Sequence, residues 1–198
     1  MNDQLIISAG QGDKDKVLSL LEDGANINAT DGYGRTAVMT ATYHHQVDMV
    51  KVLIQKGADI NIRDHNLNNV LLYAGAEGLL DIVKLAIEAG ADPTLTNRYG
   101  GSALIPAAER GHVEVVQELL AHSGIDVNHI NNLHWTALME AVILGNGGVK
   151  HQAIVKLLLA YGADPNISDK DGITPIMHAK KMGFDQIAAL LEQAERDR

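Results

Sequence analysis

The chain contains no cysteine, which excludes disulfides and thiolate metal sites. Aromatic residues are only 4% of its 198 residues, so packing falls to Ala, Leu, Ile and Val, a composition suited to thin helical layers rather than one thick core. Basic residues are in deficit: 16 Lys and Arg against 25 Asp and Glu give a formal net charge of −9. That balance disfavours nucleic acid and anionic membrane surfaces as partners and favours solubility. No apolar run approaches the ~20 residues of a membrane-spanning helix. The first residues, Met1 to Ser8, lack the basic region of a signal peptide, so a cytoplasmic location is expected. At 46% hydrophobic and 21% charged, the chain is globular rather than disordered.

What the chain does have is a recurrence. Gly24-Ala25-Asn26, Gly57-Ala58-Asp59, Gly90-Ala91-Asp92, Gly124-Ile125-Asp126 and Gly162-Ala163-Asp164 each follow a leucine-rich amphipathic segment, at glycine spacings of 33, 33, 34 and 38. Four of the five continue to an asparagine: Asn28, Asn61, Asn128 and Asn166. A period in this range denotes stacked supersecondary units.

Residues 31–63 show the grammar of one unit. Asp31-Gly32-Tyr33-Gly34 is a turn sequence. Thr36 is placed to cap a short helix, with Val38, Met39 and Ala41 on its apolar side. A second helix begins near Asp48 and is expected to bury Met49, Val50, Val52, Leu53 and Ile54. Gly57 closes it in the left-handed conformation. The cap position reads Thr36, Asn69, Ser102, Thr136 and Thr174 along the chain. Neither helix is long enough to be stable alone in water, so neighbouring units must bury each other's apolar faces.

Asp171-Gly172-Ile173-Thr174-Pro175-Ile176-Met177-His178-Ala179 and Ala107-Ala108-Glu109-Arg110-Gly111-His112, with the Gly-Ala-Asp-x-Asn recurrence, resemble the ankyrin repeat over essentially the whole chain. The resemblance implies an all-α solenoid of about six helix-turn-helix repeats with projecting β-hairpin loops, whose loops and first helices line a concave face. Residues 94–104, residues 131–138 and a glycine-rich insertion resemble, more narrowly, the small stand-alone bacterial ankyrin proteins grouped with YahD. A single domain, 1–198, divides into an N-terminal cap at 1–30, units at 31–63, 64–96, 97–130 and 131–168, and a C-terminal cap at 169–198.

Departures from the family pattern are informative. Its histidine is replaced by Met39, Leu72, Ile105, Met139 and Met177, which implies softer loops resting on apolar packing. Pro106 falls in the first turn of a first helix, where its cost is moderate and a local bend is expected. Residues 146–150 add five residues between the helices of the fifth unit, read as a flexible loop neutral to function, with a partner contact as the sharper alternative.

No catalytic constellation emerges. The nine histidines are scattered, and adjacent His44 and His45 would point about 100° apart on a helix, so surface histidine is expected rather than a metal site. No serine sits in a nucleophile elbow, and the Gly-x-Gly spacings open no βαβ unit. No enzyme, cofactor or metal is expected.

The positions left free by the repeat carry the binding candidates. Tyr33, Arg35, Tyr43, His44, Arg98, Tyr99, Arg110, Leu133 and Trp135 map to the concave rim, with Tyr73 and Glu140 on the inner face. Aromatics and arginines on a rigid surface have the composition of interface hot spots. The leading expectation is a monomeric, non-enzymatic adaptor that binds another protein through these residues. The alternative is a small-molecule binder or weak enzyme using a pocket around Tyr73, His134, Trp135 and Glu140. A self-associating module is the third reading.

Overall fold

The computed structural model describes residues 1–197. Their regular structure is helical throughout, in antiparallel pairs: α1 (Asn2–Gln11) with α2 (Lys14–Glu22), α3 (Ala37–Tyr43) with α4 (Val47–Gln55), α5 (Val70–Glu77) with α6 (Leu80–Glu88), α7 (Leu104–Glu109) with α8 (Val113–His122), α9 (Ala137–Ile143) with α10 (Val149–Ala160), and α11 (Pro175–Lys181) with α12 (Asp185–Arg196). First helices stack as one layer, α1 on α3, α3 on α5, α5 on α7, α7 on α9 and α9 on α11; second helices form the other. The core runs between the layers, with Leu5, Met39, Leu53, Leu71, Leu104, Leu119, Leu138, Leu158 and Ile187 fully buried along it. Burial of each such side chain stabilises the fold by about 1.5–3 kcal/mol.

The recurring motif has a direct structural meaning. Asn28, Asn61 and Asn128 each accept through Oδ1 the backbone N–H of the first residue after Gly-Ala in the next unit, Asp59, Asp92 and Asp164, and Asn2 accepts from the equivalent Asn26 within the first unit. The staple joins consecutive units at 2.8–2.9 Å. Thr94 breaks the series. Its hydroxyl turns back to Asp92 Oδ1 at 2.6 Å, and no staple reaches Asp126.

The projecting loops differ from the expected β-hairpins: the described residues contain no strand. Each loop is a five-residue turn closed on its first side chain. Asp31 Oδ1 accepts from the N–H groups of Tyr33 and Arg35, and Asp64, Asn97, Asn131 and Asp169 repeat the arrangement. One backbone bond spans the base, as from Asp31 N–H to Arg35 O, and two further bonds, His65 N–H to Tyr33 O and Asn132 N–H to Tyr99 O, link adjacent loops. Side-chain closure satisfies the donors that a ladder would otherwise take.

Caps follow the pattern at three positions and depart at two. Thr36 and Thr136 accept from Met39 and Met139 N–H, and Asn69 from Leu72 N–H. Ser102 does not cap: α7 starts after Ala103, the Ile105 N–H goes to the Ser102 carbonyl, and the Ser102 hydroxyl is buried without a partner. Thr174 precedes Pro175, which supplies the helical φ itself, and its hydroxyl is likewise unpartnered.

The insertion is more ordered than expected. Val149 and Lys150 lie inside α10, which reaches 12 residues against nine in α4 and α6. Asn146 accepts from Gly148 N–H, Gln152 donates to the Gly147 carbonyl, and Gly147 adopts φ 68° with a Phe184 ring carbon 2.5 Å from where a Cβ would stand. Only a glycine fits there.

Candidate concave binding site

Four first helices and their turns enclose a cavity of about 620 Å³ on the concave side. Its lining runs from Tyr43 on α3, through Tyr73 and Glu77 on α5, Ile105, Pro106, Glu109 and Arg110 on and after α7, to Glu140 and Leu144 on and after α9, with Asn97, Arg98, Tyr99, Asn131 and Leu133 from the turns. The volume falls in the ~300–1,000 Å³ range of ligand sites.

The walls are fixed by the turns. Tyr43 donates from its hydroxyl to Asp64 Oδ2 at 2.5 Å and accepts from Asn68 Nδ2 at 3.1 Å. Burial first, and the bond to Asp64 second, push its pKa up to about 12, so it stays a donor at every physiological pH. The Tyr43 and Tyr73 rings lie with centroids 4.4 Å apart at 58°. On the far wall Asn131 donates from Nδ2 to Glu140 Oε1 at 2.6 Å. In the last unit His178 makes the corresponding bond to Asp169 Oδ2 at 2.7 Å. Polar ties therefore replace the family's histidine in these units, where the loops had been expected to rely more on apolar packing.

Three carboxylates and two guanidinium groups line the cavity. Arg110 pairs with Glu77 at 2.6 Å and donates to the Ala76 carbonyl at 2.9 Å. Arg98 lies over the Tyr99 ring at 4.8 Å and donates to its hydroxyl at 2.7 Å. Glu140 is only 5% exposed, and Asn131 supplies its one hydrogen bond. Burial, followed by the neighbouring Glu109 charge, raises its pKa to about 7 despite that bond.

Of the residues singled out from the sequence, Tyr43, Arg98, Tyr99, Arg110 and Leu133 line the cavity, as do Tyr73 and Glu140. Tyr33 and Arg35 form a separate stacked pair on the rim, the guanidinium 4.4 Å from the Tyr33 centroid and 5.5 Å from that of Tyr43. His44 packs its ring over Gly10 of α1. Trp135 is half-buried and His134 exposed, and neither lines the cavity, so the pocket expected around them is centred instead on α5, α7 and α9. Glu109, one of the positions the repeat leaves free at the ends of the first helices, also lines the cavity, whereas Ile105, Pro106 and Asn131 were missed as site residues. Asn131 was legible as a turn residue, but its reach to Glu140, nine positions on, was not.

The histidines are not simply scattered over the surface. His151 is buried and donates through Nε2 to the Glu109 carbonyl at 2.8 Å, while His112 bonds the Ala76 carbonyl of the preceding unit and His129 the Gly100 carbonyl of its own. Among the described residues no group of three His, Asp or Glu side chains could hold a metal ion.

The pattern of the family described as Ankyrin repeats (3 copies) matches residues 2–64 and 71–169, most of the chain. The chain belongs to the ankyrin-repeat family. It is 44% identical to the ankyrin repeat protein YahD of Escherichia coli K12 over 186 residues, covering 94% of this chain and 92% of that one. Among solved structures, an ankyrin repeat domain from Acinetobacter baumannii superposes with a TM-score of 0.94 at 49% identity, covering 96% of this chain and 97% of its own. The ankyrin repeat protein EF0377 superposes at 0.93 with 37% identity and 98% of each chain covered. Ankyrin repeats generally serve as protein–protein interaction modules, a role consistent with a concave face whose exposed side chains lie outside the repeat's packing grammar.

Proposed function

We propose that this chain is a non-enzymatic scaffold that binds another protein through its concave face. The observation that carries the reading is the rim of the cavity. Tyr99 and Leu133 are 58% and 52% exposed at its edge, yet they stand on turns locked by side-chain hydrogen bonds. Large apolar groups held rigid before binding lose little entropy on association, which is what makes a hot spot. Arg98 and Arg110 are already oriented by Tyr99 and Glu77. The exposed, largely polar outer face of α12, with Gln186, Gln193 and Glu195, supports a monomer.

Affinity capture with the full chain tests the reading. A partner should be retained by the native protein and lost from Tyr99→Ala/Leu133→Ala, with the helical circular dichroism unchanged. Retention by the double variant rejects this surface. The cavity volume favours one second reading, a small-molecule binder, for which a thermal-shift screen should find ligands that raise Tm and lose their effect when Tyr73 is replaced.

A further inference from the structure

We propose that the concave cavity is a socket for a primary ammonium group, a lysine side chain of the protein partner, with Glu140 as its terminal acceptor and Glu109 as the second carboxylate. The inference rests on the reading of this face as a protein-binding surface and supplies the chemistry of what enters it.

Charge pairing within the cavity gives the sign of the ligand. Glu77 is neutralised by Arg110, and Arg98 keeps its charge while turned onto the Tyr99 ring, whereas Glu109 and Glu140 make no ion pair among the described residues, so carboxylates exceed guanidinium groups by one. A carboxylate as buried as Glu140 is costly without a countercharge. The proximity of Glu109 increases that cost, as the raised pKa of Glu140 records. An entering cation relieves both. A bare metal ion does not suit the site, because no set of three ligating side chains converges among the described residues.

The hydrogen bonding selects among organic cations. Asn131 occupies Oε1 of Glu140, leaving Oε2 of this cavity-lining residue without a hydrogen bond among the described residues. A guanidinium binds a carboxylate best through both oxygens at once, whereas an ammonium is satisfied by single acceptors from several directions. Glu140, Glu109 and the Tyr73 hydroxyl offer such acceptors. The aliphatic stem has matching walls in Ile105, Pro106 and the Tyr73 ring, and a ring face attracts the charge at its end.

The test uses the ¹⁵N-labelled full chain at neutral pH, titrated with Nα-acetyl-lysine methylamide and with its norleucine, Nε-acetyl-lysine and arginine counterparts. The lysine probe should shift the amides of Ile105, Asn131 and Glu140, and the Asn131 side-chain amide, with a Kd on the order of millimolar. Norleucine and Nε-acetyl-lysine should bind about tenfold more weakly or less, and arginine severalfold more weakly. Glu140→Gln should weaken the lysine probe about tenfold, and Glu109→Gln severalfold, both with a native amide spectrum. The proposal is overturned by no saturable shift at these amides up to about 50 mM lysine probe. Norleucine or arginine binding as tightly as lysine, or undiminished binding by both variants, overturns it equally. Partner capture that needs Tyr99 and Leu133 but survives Glu140→Gln defeats the socket and leaves the scaffold standing. A bound lysine probe without capture dependent on the concave face defeats the scaffold alone.

Discussion

Asn131 closes its own turn through Oδ1 and donates from Nδ2 to Glu140, so one side chain fixes both a loop of the concave face and a buried carboxylate beneath it. Glu140 therefore sets a pH dependence of stability. Its pKa rises from 4.5 to about 7 on folding, mainly through burial and then through Glu109. Below the unfolded value both states are protonated and the group contributes nothing. Between the two values the unfolded chain ionises first, so stability falls as pH rises. Above about pH 7 the loss is complete, on the order of 3 kcal/mol. Glu140→Gln, which keeps an acceptor for Asn131, should raise Tm clearly at about pH 8 and little near pH 4.5. Thermal melts of the two proteins across that range should diverge with rising pH; a constant offset contradicts the assignment.

The interrupted staple gives a second expectation. Thr94→Asn should restore the bond to the Asp126 N–H, stabilising the fold by about 0.5–1.5 kcal/mol, and Asn61→Ala should cost a similar amount by stranding Asp92 N–H. Urea midpoints measure both changes. Amide exchange at Asp126 should slow in Thr94→Asn and nowhere else by as much.

At the insertion, Gly147→Ala should destabilise by about 2 kcal/mol, because the left-handed backbone disfavours a Cβ and the Phe184 ring occupies its place. Gly148→Ala, where φ is −74°, should cost less. Equal effects in chemical denaturation would show the segment to be the flexible loop its composition suggests.

How much of this was legible follows from which forces are local. The helices, their order and the glycine ends lie in patterns of one unit's length, and those forces act within a few residues. The caps at Thr36, Asn69 and Thr136 are local for the same reason. Ser102 does not cap because the Ile105 N–H bonds the Ser102 carbonyl instead of its hydroxyl. The order of residues 146–150 depends on Phe184, 37 positions after Gly147, which no local composition reports. Tyr43, Tyr99 and Leu133 were legible in the site because the repeat register places them. The pairing of Asn131 with Glu140, and the displacement of Trp135 from the cavity, depend on how neighbouring units meet.

Titration of the captured partner by calorimetry tests the central claim most directly. Tyr99→Ala should weaken binding by about 30-fold or more, the scale of an interface hot spot, while Gln117→Ala on α8, remote from the cavity, should change it less than about twofold. Equal affinity for Tyr99→Ala and the native chain, or a loss confined to Gln117→Ala, would place the binding surface elsewhere on the solenoid.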